Sequence, residues 1–307
     1  MKIYINSAKE NWIVDRIKKE WEKSNPHKVT QFSPRADIVW LIASWTWKKV
    51  NIKILQSKKV VCSIYHIDED KFTTNDLNEF KDRDTYVDFY HTISIKSKIQ
   101  LQKLTTKPIF VSPFWVNQNI FFDISKTEDI SKKFGFSSHD YLIGSFQRDT
   151  EGSDLISPKL SKGPDRFIEI VEHYYKLNPN VAVVLTGKRR DYVISQLKAK
   201  KIKFYYFEMV DFVKLNELYN CLDLYIVSSR YEGGPQAILE CAITNTPVIS
   251  TDVGIASEIL SEESIYNMET FQEAKPNTTQ AYQKVSKLIL PKGMDIFLQY
   301  FKEVYES

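Results

Sequence analysis

Short apolar runs recur along this chain at intervals that leave room for about one helix each, and that spacing limits the fold more than any single residue does. "KIYIN", "ADIVWLIA", "KKVVCSIY", "YHTISI" and "KPIFVSP" form one series, and "YLIGSF", "VAVVLTG", "IKFYYF", "LDLYIVSS" and "TPVIST" a second. Each run is short and apolar, as suits a strand covered on both faces. Amphipathic stretches separate them. "KENWIVDRIKKEWEKS" sets Trp12, Ile13, Ile17 and Trp21 near helical spacing, and "DRFIEIVEHYYKL" and "VKLNELYNCL" are helical in the second series. Such alternation predicts two parallel, doubly wound sheets. In sheets of that kind ligands bind at the carboxyl ends of strands, where the strand order reverses.

The length of 307 residues exceeds one ordinary hydrophobic core, and 43% hydrophobic with 26% charged residues suits a globular protein. The polar stretch "DISKTEDISKKFGFSSHD" lies between the two series. Domains at 1–124 and 125–290 are expected, with a C-terminal helix at 291–307 crossing back to the first. No apolar run of membrane-spanning length exists, and "MKIYINSAKENW" has no apolar signal core, so a cytoplasmic protein is expected. Cys62, Cys221 and Cys241 are far apart in apolar runs and read as buried thiols. Up to Asp123 there are 20 Lys and Arg against 14 Asp and Glu, a net charge of +6, and all six tryptophans lie there. Two readings of that half follow: peripheral contact with an anionic membrane face, or core tryptophans beside solvated lysines. Nucleic-acid binding rests on the charge balance alone and is not expected.

The chemistry concentrates in "SSRYEGGPQAILECAITNTPVISTDVG", Ser228 to Gly254. At the carboxyl end of the strand "LDLYIVSS", Gly233 and Gly234 permit close backbone approach. Pro235 suits the first turn of a helix, whose free amides, with Gln236 at its start, favour phosphate. Glu240, five residues past Pro235, stands about 7 to 8 Å further along the axis. A carboxylate there suits a ribose diol, and Glu232 suits the hydroxyls of a transferred sugar, because carboxylates accept hydroxyl hydrogen bonds and repel phosphate.

At these residues the chain resembles retaining glycosyltransferases of the GT-B fold, most closely glycosyltransferase family 4, in which one Glu follows another after seven residues; here they are Glu232 and Glu240. The trailing "CAITNTPVISTDVGIASEIL" is similar to the family's continuation. The resemblance implies two Rossmann-like domains facing a cleft, and an Arg and a Lys on the nucleotide diphosphate. "YLIGSFQRDTEGSDLISPKLSKGPDRFIEI" offers Arg148 and Lys162, separated by an insertion. It also implies a histidine near the donor sugar, for which His66, just past "KKVVCSIY", is the match. Asp68-Glu69-Asp70 imitates a metal-binding Asp-x-Asp, but metal-dependent enzymes with that motif have another fold, and a solvated acidic loop is expected.

Further similarity covers "YHTISIKSKIQLQKL" and "KPIFVSPFWVNQNIFF", where Trp115 replaces a glycine of the family's turn. The first strand is followed by "NSAKENW" instead of a glycine-rich loop, so the acceptor side is expected to be remodelled. Trp45 and Trp47, if the backbone stays extended, turn to one side, where with Lys48 and Lys49 they suit a glycan or lipid-diphosphate acceptor; the alternative reading is that one or both fill the core of the small first domain. The implied reaction is metal-independent transfer, with retention, of a sugar from a nucleotide-diphosphate sugar to a glycan or lipid-linked hydroxyl, with cell-surface polysaccharide or glycoconjugate synthesis as its expected setting. No cofactor is expected beyond that donor. The competing reading is a non-transferring protein of the same fold, a nucleotide-sugar epimerase or nucleotide-sugar-binding subunit. A dinucleotide oxidoreductase is less favoured, because no G-x-G-x-x-G follows a strand.

Overall fold

The computed structural model describes residues 1–9, 13–124 and 128–307. Trp12 and part of the polar stretch at the expected domain boundary lie outside the described residues. The chain divides into unit 1, Met1–Trp115 with Pro291–Ser307, and unit 2, Val116–Leu290. The break therefore precedes the polar stretch, at the end of the "FVSPFW" segment.

Unit 1 runs β1 (Ile3–Ile5), α1 (Ile13–Ser24), β2 (Ile38–Leu41), α2 (Ile52–Ser57), β3 (Lys59–Ile64), α3 (Thr74–Asp84), β4 (Phe89–Thr92), α4 (Ile95–Gln102) and β5 (Ile109–Val111). Its parallel sheet has the order β1-β2-β3-β4-β5. A lone parallel bridge pairs Ile3 with Val29. Because β2 holds the other side of β1, the chain after α1 passes outside β1 before crossing to β2. This is the reversal of a doubly wound sheet, with β1 and β2 at the switch point.

Unit 2 contains α5 (Glu128–Lys133), β6 (Tyr141–Ser145), α6 (Pro164–Leu177), β7 (Val181–Thr186), α7 (Asp191–Ala199), β8 (Lys203–Phe207), α8 (Phe212–Cys221), β9 (Leu224–Val227), α9 (Gln236–Ile243), β10 (Val248–Thr251), α10 (Ala256–Ile259), β11 (Ile265–Tyr266) and α11 (Thr278–Val285). The parallel order β11-β10-β9-β6-β7-β8 reverses between β6 and β9. Every residue of β7, β9 and β10 is buried, which is why these strands read as unbroken apolar runs. Phe167, Ile170, Val193 and Leu197 of α6 and α7 join one core cluster, and Leu218, Ile238, Leu239 and Ala256 of α8, α9 and α10 join another.

The final helix, α12 (Lys292–Glu306), belongs to unit 1. It buries Met294, Phe297, Phe301 and Val304 at helical spacing. Phe297 stacks on Phe114 at 5.5 Å and meets Trp115 edge-on at 5.4 Å, while Trp21 of α1 meets Trp40 edge-on at 5.6 Å. Trp21, Trp40, Trp47 and Trp115 are all buried, so tryptophan content in the first half is mostly a property of this core. Trp45 and Trp47 also part company. The segment Ser44–Lys49 is a 3-10 helix instead of extended chain, which leaves Trp45 48% exposed and sends Trp47 into the core to donate to Glu79 at 2.8 Å. The three cysteines are buried thiols outside any disulfide, and burial pushes the Cys62 thiol up to about 11. No helix among the described residues is long and apolar enough to cross a membrane.

Beneath α12 a polar chain crosses the sheet. Trp40 Nε1 donates to Ser63 Oγ at 2.9 Å, Ser63 Oγ lies 2.9 Å from His91 Nδ1, and His91 Nε2 lies 2.9 Å from the carbonyl of Ser112. The carbonyl requires a proton on Nε2, so the hydroxyl donates to Nδ1 and the ring is neutral. Burial lowers the His91 pKa to about 4, only partly opposed by the Ser112 carbonyl. The unfolded chain takes up this proton near 6.5, so between pH 6.5 and 4 it binds more protons than the folded one, and stability falls as pH falls through that window. His91 is expected to contribute up to about 3 kcal/mol of that loss. Urea unfolding from pH 7 to 4 should show a steeper decline for the parent than for His91→Gln; equal slopes would refute the assignment.

Candidate functional site

Three segments of unit 2 converge at the strand reversal: the loop leaving β6, the turn entering α6, and the loop from β9 to α9. Backbone contacts bring them together. Gly163, at φ +61°, packs so closely on Ser228 that an added Cβ would lie 1.9 Å from its carbonyl oxygen. Gly254, at φ +49°, approaches the carbonyl of Gly233, where a Cβ would come to 2.1 Å. Among the described residues, the positive backbone angles at this site thus belong to Gly163 and Gly254 rather than to Gly233 and Gly234. The amides of Arg230 and Tyr231 donate to the Ser161 carbonyl at 2.8 and 3.1 Å. Arg230 also forks onto Asp165 at 2.8 and 2.6 Å, a bidentate pair that ties the loop to the first turn of α6.

Within this frame Lys162 donates to Glu232, and their side chains are only 23% and 12% exposed. Ser229 Oγ lies 3.2 Å from the same Glu232 oxygen and 3.3 Å from Gln147 Oε1. Gln147 Nε2 donates to the Lys162 carbonyl at 2.9 Å, so one residue of the β6 loop orients the lysine turn. Arg148 follows Gln147, is half-buried, and donates through Nε to the Thr150 carbonyl at 2.7 Å. Burial, then the Arg189 guanidinium, hold its pKa below the ordinary value, with Glu151 opposing. Lys159 is lowered too, by burial first, then by Lys162 and Arg148, against the carboxylates of Glu232 and Glu151. Lysine and arginine are gathered here against burial and mutual repulsion, an arrangement that favours an anion.

Pro235 is the N-cap of α9, and no side chain caps that end. The Gln236 Nε2 is buried without a hydrogen-bond partner. Glu240 lies one turn further in, 6% exposed, and accepts the Tyr219 hydroxyl at 2.9 Å. Burial, then the Glu240 carboxylate, push the Tyr219 pKa well above its ordinary value, so the phenol stays protonated as donor. His66 belongs to unit 1, where it is exposed two residues past β3. In the adjacent acidic run Glu69 is paired with Lys103 at 2.6 Å. Among the described residues no group of three or more His, Cys, Asp and Glu is disposed to hold a metal ion.

Glu232, Lys162, Arg148, Gly233, Gly234, Pro235, Gln236 and Glu240 all lie in unit 2, on the loops and helix described. Sequence reading overlooked Gln147, Ser229, Lys159 and Tyr219. Polar residues directly after the strands "YLIGS" and "LYIV" were a usable signal for the first two. Tyr219 had none, since its helix reads as ordinary core packing.

Residues 157–292 match the family profile described as glycosyl transferases group 1. A probable sucrose-phosphate synthase of Thermosipho melanesiensis is 28% identical over 227 residues, 70% of this chain and 47% of that protein. The O-antigen chain mannosyltransferase RfbU of Salmonella typhimurium is 22% identical over 291 residues, 90% of this chain and 77% of that one. The chain spans about half the length of the first of these relatives. Among solved structures, Anabaena HepE in complex with UDP and glucose superposes with a TM-score of 0.72 at 13% identity, covering 97% of this chain and 98% of that one. The fold is therefore GT-B, an α/β architecture with a five-stranded and a six-stranded parallel sheet.

The glycine contacts predict a measurable asymmetry. Gly135 also has a positive φ, +73°, but nothing lies within 4 Å of an added Cβ. Gly135→Ala should therefore cost only the left-handed penalty, roughly 1–2 kcal/mol. Gly163→Ala should cost clearly more in urea unfolding, because the Ser228 backbone must move as well. Equal losses would show that the close approach is relieved at no cost.

Proposed function

Residues 157–292 belong to the glycosyl transferases group 1, and from that membership we propose that the chain transfers a sugar from a nucleotide-diphosphate sugar to a hydroxyl, with retention at the anomeric carbon. The observation that carries the reading is the pairing of Lys162 with Glu232 at the β6–β9 reversal, with Glu240 on the helix behind it. When a diphosphate arrives, Lys162 turns from the carboxylate to phosphate, and Glu232 is released to accept sugar hydroxyls. Arg148 and the start of α9, from Gly233 through Gln236, complete the anion site. Glu240 accepts the ribose hydroxyls, with Tyr219 fixing its orientation.

Retaining transfer of this kind needs no protein nucleophile. As the bond from the anomeric carbon to the diphosphate breaks, its electron pair passes to the phosphate oxygen. The acceptor oxygen bonds to the same face of that carbon, and its proton passes to the departing phosphate. The protein's part is to stabilise the charge on the diphosphate, and cations already assembled do so without reorganisation. The same cations support a reaction that requires no metal. His66 enters on the family resemblance and on its place beyond β3, with a role near the donor sugar. The acceptor is a glycan or lipid-linked hydroxyl, a reading favoured by the O-antigen mannosyltransferase among the relatives. Incubation with nucleotide sugars separates the alternatives: slow donor hydrolysis supports a transferase, sugar interconversion an epimerase, and binding without either a binding subunit.

Glu240→Ala should weaken nucleoside-diphosphate binding by about 1–3 kcal/mol if its ribose hydrogen bonds are buried and charge-assisted. Calorimetry on the folded variant measures this, and unchanged affinity would remove Glu240 from the site. Trp45 is the remaining acceptor-side indole of the pair, since Trp47 lies in the core. Trp45→Ala is expected to lower transfer while donor hydrolysis and melting temperature hold. A parallel fall in hydrolysis would assign Trp45 to some other role.

A further inference from the structure

The insertion between Arg148 and Lys162 closes on itself. Thr150 and Pro158 form an antiparallel bridge, the Glu151 amide donates to the Ser157 carbonyl at 2.9 Å, and the Lys159 amide donates to the Asp149 carbonyl at 2.8 Å. At the far end, Asp154 accepts from the amides of Ile156 and Ser157 at 3.0 and 3.1 Å. The extra residues therefore leave the site at Asp149 and return to it at Lys159. One turn later the Lys162 amide donates to the Lys159 carbonyl at 2.8 Å. The hairpin base thus sets Lys159 opposite Asp149, the neighbour of Arg148, and three residues before Lys162.

The base is held firmly. Asp149 pairs with Arg190 at 2.8 Å, both side chains are almost fully buried, and Arg190 also donates to the carbonyls of Ser145 and Thr186 at 2.6 and 3.1 Å. Asp149 gives its Oδ2 to Arg190 and makes no ion pair with Lys159. Glu232 is engaged by Lys162 and Asp165 by Arg230. The half-buried Lys159 ammonium itself makes no ion pair among the described residues. Lys159 feels the carboxylates of Glu232 and Glu151 but pairs with neither, while burial and the nearby Lys162 and Arg148 oppose its charge, and an anionic ligand would offset that cost.

We propose that Lys159 is a third cation of the diphosphate site, supplied by the insertion, and that it favours the released diphosphate over the intact sugar donor. The proposal rests on the donor site described under Proposed function. In the intact donor the terminal phosphate is esterified to the sugar. When that bond breaks, its oxygen gains a charge, and a cation that meets it stabilises the transition state more than the ground state.

The test uses the full chain with uridine, guanosine and adenosine diphosphates, the corresponding nucleosides, and the glucose ester of whichever diphosphate binds most tightly. Calorimetry compares the parent with Lys159→Met, Lys159→Arg and Lys162→Met. Lys159→Met should lose on the order of 10-fold in diphosphate affinity, lose less for the sugar ester, and leave nucleoside affinity and melting temperature unchanged. Lys159→Arg should recover most of the loss. Undiminished diphosphate binding by Lys159→Met, or equal losses for diphosphate and nucleoside, overturns the proposal. If Lys162→Met alone weakens diphosphate binding, the donor site stands and Lys159 is excluded from it. If neither variant does, the donor site itself is misplaced and the proposal falls with it.

Discussion

Gly163 and Gly254 let two loops touch the Ser228–Gly233 turn through backbone alone, at separations that no other residue permits. The organisation of the reversal depends on those contacts. With Gly163 against Ser228, the lysine turn lies beside the glutamate turn, and Lys162 and Glu232 meet across it. With Gly254 against Gly233, the loop entering α9 is held from its other side. Side-chain bonds then refine this arrangement: Ser228 Oγ donates to the Gly163 carbonyl at 2.8 Å, and Thr251 Oγ1 to the Ser229 carbonyl at 2.7 Å. These are supports around positions set first by steric allowance.

Electrostatics at the site follow a second rule. A charge removed from water needs a partner, and this chain distinguishes charges that have one from charges that wait. Asp149 Oδ2 and Arg190 pair deep in unit 2 and act as a rivet under the β6 loop. Lys162 and Glu232 satisfy one another provisionally, near enough to solvent for a ligand to intervene. Arg148 and Lys159 are left positive beside them. Exposure rises from the first pair to the second: the Arg190 and Asp149 side chains are 1% and 3% exposed, those of Lys162 and Glu232 23% and 12%.

The ten apolar runs were legible because parallel strands covered on both faces must be apolar throughout, and each corresponds to an observed strand. The two-residue β11 carries too little pattern to be seen. Glu232 and Glu240 could be read from their spacing and from the strand and helix around them. The true left-handed glycines could not, because which glycine needs its freedom depends on a neighbour distant in sequence: Ser228 for Gly163, and Gly233 for Gly254. Trp47 shows the same limit. Its alternation with Trp45 suggested one shared side, but a 3-10 turn rotated it into the core to reach Glu79. Lys159 was passed over because an insertion read as a gap between two useful residues, when its base is in fact part of the same platform.

Helix α12 gives the chain a particular order of assembly. Unit 2 is continuous in sequence, whereas unit 1 is built from both ends, with Phe297 and Phe301 completing the aromatic core begun by Trp21 and Trp40. During synthesis those phenylalanines leave the ribosome after every residue of unit 2. The usual progression, in which the first domain made is the first to fold, is inverted. Until α12 is made, Trp21, Trp40 and Trp115 lack the phenylalanines that pack on them, whereas the later-made half is continuous and can fold first.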